Sequence, residues 1–129
     1  MKAVYLKEYG GRDKLLFGEL PKPEPREGEV LVRVKAAGVN PVDWKIRDGR
    51  LKERMPSRFP IIPGWDVAGI VEARGLGARR FEVGDKVYAY ARKNEIHDGT
   101  YAEYIALPES YLALKPQNVT FEKIGRAHV

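Results

Sequence analysis

A chain of 129 residues is the size of one domain, and 43% hydrophobic residues supply a core without any sign of disorder. Lys and Arg total 23 against 18 Asp and Glu; the net charge of +5 is spread among acids, with no concentrated stripe and stacking aromatics of the kind that binds nucleic acid. Cysteine is absent, which excludes disulfides, thiolate nucleophiles and Cys-ligated zinc, and no segment approaches the roughly 20 apolar residues of a membrane span, so a cytoplasmic protein with no membrane partner is expected.

In chain order, KAVYL and LLFGEL read as strands. PKPEP (Pro21 to Pro25) reads as an extended connector, because alternate residues lack an N–H. EVLVRVKAAG (Glu29 to Gly38) has period two. Val30, Val32, Val34 and Ala36 share one face, and Leu31, Arg33, Lys35 and Ala37 the other. A helix follows: Asn40 is a favoured N-cap, Pro41 suits the first helical position, Asp43 the third, and Gly49 the stop. RDGRLKERMPSR reads as a solvated loop. DVAGIVEARG, DKVYAYA, TYAEYIAL and YLALK read as further strands, with REGE and VGDK as turns at Gly28 and Gly84. In VTFEK, Thr120 is placed to cap a second short helix. Short strands at close spacing with Gly and Pro turns make a small, mainly β barrel or sandwich.

Three motifs are tested and fail. GLGARR follows a strand and begins Gly75-x-Gly77, but its sixth position is Arg80 and a strand follows, not the helix that phosphate binding needs. NEIHDG offers Glu95, His97 and Asp98 with no spaced partner set, and reads as a polar loop. No Gly-x-Ser-x-Gly elbow is present. Asn40 and Asp43 remain as polar candidates, and by local rules alone capping is the better account of them than catalysis.

Four ordered blocks, AAGVNPVDWKIRDG, FPIIPGWDVAGIVEARG, FEVGDKVYAY and GTYAEYIALPESYLALKP, resemble the N-terminal catalytic domain of the medium-chain dehydrogenase/reductase superfamily, from Met1 to about Glu122. That domain is a GroES-like, partly open β-barrel with one or two short helices. In the zinc-dependent alcohol dehydrogenases a cysteine follows AAGV, where this chain has Asn40, and Gly-His-Glu stands where it has Gly64, Trp65 and Asp66. A carboxamide and an indole do not replace thiolate and imidazole at zinc. The cysteine-rich structural-zinc lobe is absent too. The chain is therefore similar to the zinc-free quinone and enone reductases that use NADPH.

The resemblance implies hydride transfer to a quinone or an activated alkene or carbonyl, with no metal site. It implies Asn40 and Asp43 as cofactor contacts, Lys45 as a donor to a substrate oxygen, and Trp44 and Trp65 as apolar wall. It implies a second, doubly wound nucleotide-binding domain, not found in residues 1–129, through which such proteins form homodimers. The domain is expected to end at Lys123. The ending IGRAHV, Ile124 to Val129, reads as non-native or as the start of a linker, which leaves His128 without a role. The rival reading is a stand-alone GroES-like binding or co-chaperone module.

Overall fold

The structure, a computed structural model, describes residues 1–124. It is mainly β. β1 (Lys2–Tyr5) pairs antiparallel with β2 (Leu16–Glu19). A five-stranded antiparallel sheet holds β3 (Glu29–Gly38), β5 (Asp66–Arg74), β6 (Lys86–Tyr90), β8 (Tyr104–Pro108) and β9 (Leu112–Leu114), in the order β8-β3-β5-β6-β9. β4 (Ser57–Ile62) and β7 (Ile96–Asp98) form a two-stranded parallel pair. The described residues also hold two α-helices, α1 (Pro41–Asp48) and α2 (Phe121–Ile124), and two single 3-10 turns, Arg12–Lys14 and Glu109–Tyr111. Among the described residues no ladder closes the sheets into a barrel. Isolated bridges, Ala3 to Ala102 and Leu6 to Ile61, tie β1 and its continuation to the rest. No helix among the described residues is long and apolar enough to cross a membrane.

Two apolar clusters form the core. The larger lies on the five-stranded sheet and includes Val30, Val32, Val67, Val71, Val87, Ile105 and Leu107. The smaller joins Ile46 of α1 to Leu6, Met55, Ile61 and Ile96. Complete burial of an aliphatic side chain is worth about 1.5–3 kcal/mol, so Ile46 fixes α1 against the β4–β7 pair.

The expected helix forms between the expected residues, and Gly49 ends it at φ 87°. Gly28 and Gly84 take positive φ in their turns. Thr120 Oγ1 accepts from Lys123 N–H at 3.2 Å, the expected cap of α2. Gly75 and Gly77 lead into β6 through a loop without a helix, as the failed phosphate motif requires. His128, with the rest of 125–129, lies outside the described residues.

Three readings need correction. NEIHDG is not all loop: Ile96 to Asp98 form β7. Ser57, at the end of RDGRLKERMPSR, begins β4. β7 escapes period-two reading because it has three residues, and β4 because it carries Pro60, which has no N–H for a ladder; the two pair with a register shift. In β3 the alternation breaks at its start: Leu31 is as buried as Val30 and Val32, because register shifts between Leu31 and Val32 against β5. TYAEYIAL is a strand only from Tyr104; Thr100 and Tyr101 bend across β1.

Candidate functional site

The end of β3 and the start of β5 lie side by side, with Gly38 opposite Asp66 and Asp66 opposite Tyr90 of β6. The chain leaves β3 through Val39 and turns into α1 at Asn40. This brings Asn40 against Asp66, and the Asn40 side-chain amide donates to Asp66 Oδ2 at 2.8 Å.

Asn40 and Asp43 form a capping box. Its well-made half is the Asn40 backbone N–H donating to Asp43 Oδ2 at 2.8 Å. The same oxygen accepts the Tyr101 hydroxyl at 2.6 Å. Capping therefore engages Asp43 and the Asn40 backbone, while the Asn40 side-chain NH2 donates to Asp66 and its carboxamide oxygen makes no bond to that carboxylate. A side-chain cluster of Asn40, Asp43, Asp66 and Tyr101 results, with both carboxylates buried.

Burial dominates its electrostatics. It pushes the Asp43 carboxyl above its ordinary value of 3.8, against the opposing pull of the Tyr101 hydroxyl and the backbone amides of Asn40 and Gly64, and Asp66 adds to the rise. Burial first, and then the bond to Asp43, push Tyr101 upward as well, so it stays a hydroxyl donor. Two buried oxygens here, Asp43 Oδ1 and Thr100 Oγ1, make no well-formed hydrogen bond among the described residues, the Gly64 amide acting on Asp43 only from a poor geometry. A buried acceptor without a partner costs about 1–3 kcal/mol.

Tight backbone geometry holds the cluster. Thr100 N–H donates to the Gly64 carbonyl at 3.0 Å and Tyr101 N–H to the Pro63 carbonyl at 3.1 Å. The Tyr101 carbonyl accepts from Val4 N–H at 2.8 Å. Gly64 sits at φ 104°, and a Cβ there would overlap Thr100 Oγ1.

The apolar candidates lie around it. Trp65 is half-buried beside Asp66, its ring edge-on to Tyr90 at 6.2 Å, with the Arg92 guanidinium 5.3 Å from its centroid. Trp44 lies one helical turn from Asn40 on the exposed side of α1, with Arg50 at 4.6 Å and Lys45 Nζ at 5.8 Å from its ring. The structure joins Asn40 to Asp43; Trp44 and Lys45 stand apart, facing solvent.

Tyr101 and Thr100 are site residues that the sequence reading missed. Tyr101 is 58 residues from Asp43, and no local pattern links them. Asp66 had a signal: antiparallel pairing of β3 with β5 places it beside the turn into α1.

The fit to a nicotinamide nucleotide is partial. Asn40 and Tyr101 are the half-buried members of the cluster that a polar end of such a ligand could meet, whereas Asp43 Oδ1 is buried behind them. The N-terminus of α1 is no phosphate cradle: it begins with Pro41, which has no N–H, and carries Asp43 in its first turn. Among the described residues no group of three or more His, Asp or Glu is arranged to hold a metal ion.

The family model for the alcohol dehydrogenase GroES-like domain matches residues 26–117. A quinone-oxidoreductase homolog, chloroplastic, of Spinacia oleracea is 40% identical over 121 residues, covering 93% of this chain and 36% of that protein. The NADPH-dependent alkenal/one oxidoreductase, chloroplastic, of Arabidopsis thaliana is 42% identical over 126 residues, covering 94% and 32%. Among solved structures, Escherichia coli quinone oxidoreductase complexed with NADPH superposes with a TM-score of 0.85 at 27% identity, over 97% of this chain and 36% of that one. The chain spans about a third of the length of these curated relatives.

Fold and matches together define a GroES-like domain of the dehydrogenase class. The chain belongs to the alcohol dehydrogenase GroES-like domain family, within the medium-chain dehydrogenase/reductase superfamily and alongside its quinone oxidoreductases.

Proposed function

We propose that residues 1–123 are the catalytic domain of a longer, zinc-independent, NADPH-dependent oxidoreductase that reduces a quinone or an activated alkene or carbonyl. The observation that carries this is the Asn40–Asp66–Asp43–Tyr101 cluster. A carboxamide and an indole, Asn40 and Trp65, stand where the resemblance to zinc-dependent alcohol dehydrogenases implies zinc ligands, and the Asn40 amide donates to Asp66 at 2.8 Å. The printed names of the relatives, quinone and alkenal/one oxidoreductases, support the substrate class.

When bound, NADPH supplies the hydride. This chain's residues would orient its polar end. Half-buried Asn40, fixed by Asp66, would meet it, and buried Asp43, which accepts from the Asn40 N–H and the Tyr101 hydroxyl, would hold Asn40 in place. Trp65 and Trp44 offer flat apolar walls to a planar substrate, and the exposed Lys45 ammonium can donate to its oxygen. Quinones and enones are electrophilic already, so positioning and hydrogen bonding carry more of the work than a Lewis acid would. The phosphates would need a second domain, and residues 1–129 alone are expected to have no turnover.

In the complete gene product, Asn40→Ala is expected to raise KM for NADPH roughly tenfold, the worth of one good hydrogen bond, with a smaller change in KM for the quinone. Steady-state kinetics with both substrates varied would check this. An unchanged NADPH KM would contradict the assignment of Asn40.

A further inference from the structure

A second feature lies away from the cluster. A cavity of about 540 Å³ opens between the Pro21–Glu24 connector, β4 and the segment around β7. None of Asn40, Asp43, Asp66 or Tyr101 lines it. Its charged groups are mostly engaged with one another or with nearby groups. Arg58 binds Glu95 at 3.1 Å, Lys22 binds Glu72 at 3.1 Å, and His97 lies 3.4 Å from Asp98, with its Nδ1 2.7 Å from the Arg58 carbonyl.

Lys93 is different. It is half-buried, lines the cavity, and has no hydrogen bond or ion pair among the described residues. Arg26 also lines the cavity, but a guanidinium does not lose its proton near neutral pH. Burial lowers the Lys93 ammonium from its ordinary value. Asp98 and Glu29 oppose that, Arg26 reinforces it, and burial prevails. A partnerless lysine in a concave site is a nucleophilic amine.

We propose that Lys93 is a covalent capture site for small conjugated carbonyl compounds, which enter this cavity and add to its amine. The Lys93 Nζ lone pair forms a C–N bond to the β-carbon. The alkene π pair moves to the carbonyl as an enolate, and the extra proton on nitrogen passes to the α-carbon. Atoms and electrons balance with no oxidant or reductant. The step needs neither NADPH nor turnover, so it stands or falls separately from the reductase reading.

The test is competitive labelling of the purified chain at pH 7.5 with substoichiometric methyl vinyl ketone, read by peptide mass spectrometry. Lys93 is expected to label at least about threefold faster than the exposed Lys7 and Lys35. Lys93→Arg should remove that adduct and leave the others and the far-UV spectrum unchanged. Because Lys93 is only half-buried and its head group is unpartnered, the variant is expected to fold; labelling of wild type across pH 6–10 gives a second reading, with the advantage of Lys93 greatest toward the lower end of that range. Equal rates at all three lysines, or an unlabelled Lys93, would overturn the proposal.

Discussion

Gly64→Ala is expected to destabilise the domain by about 3–5 kcal/mol, enough to lower its melting temperature by more than about 10 °C. Two costs add. The backbone sits at φ 104°, which an L side chain rarely adopts. The new Cβ would also overlap Thr100 Oγ1 and come within 2.7 Å of Tyr101 Cδ1. Neither neighbour can retreat easily, because Thr100 N–H is bonded to the Gly64 carbonyl and the Tyr101 carbonyl to Val4. Gly77→Ala separates the two costs. Its φ is 78° but a Cβ there meets nothing within 4 Å, so only the backbone strain of about 1–2 kcal/mol remains. Thermal melts of both variants check this, and a Gly64→Ala protein melting within about 2 °C of wild type would contradict the geometry.

Asp43→Ala is the second large effect, at about 2–4 kcal/mol by urea unfolding. It strips the acceptor from both the Asn40 N–H and the Tyr101 hydroxyl, and both donors sit in a largely buried place. Asp43→Asn retains an acceptor and is expected to fold. It should change how stability depends on pH. The folded-state carboxyl lies above its ordinary value of 3.8, so the protonated form is the better tolerated one in the fold. Its contribution is complete below about pH 4 and is lost as pH rises through the higher folded-state value. Relative to Asp43→Asn, wild type should therefore gain stability on acidification across that window. A wild-type and Asp43→Asn pair with parallel pH profiles would show that burial does not dominate at this carboxylate.

Much of the architecture was legible from local rules. Asn40, Pro41, Asp43 and Gly49 each occupy the helix position their chemistry favours, and α1 forms between them. β3, β5 and β6 stand near the period-two stretches that marked them. β4 and β7 were not legible, because a strand of three residues and a strand containing Pro60 leave no alternation to read. Leu31 was misassigned to the outer face because a bulge is a property of two paired strands and not of either alone.

The site was half legible. Asn40 and Asp43 lie four residues or fewer apart, so their reciprocal capping follows from spacing. The bond from Tyr101 to Asp43 and that from Asn40 to Asp66 join distant segments through the fold. What sequence left open, whether Asn40 serves the helix or the site, resolves by atoms. The backbone N–H serves the cap and the side-chain amide serves Asp66.

The most direct test is NADPH oxidation with a quinone by the complete gene product after exhaustive chelation, beside the isolated 129-residue chain. The account predicts full turnover in the metal-stripped protein, no stimulation by added zinc, and none from the isolated chain. Activity abolished by chelation and restored by zinc would contradict it.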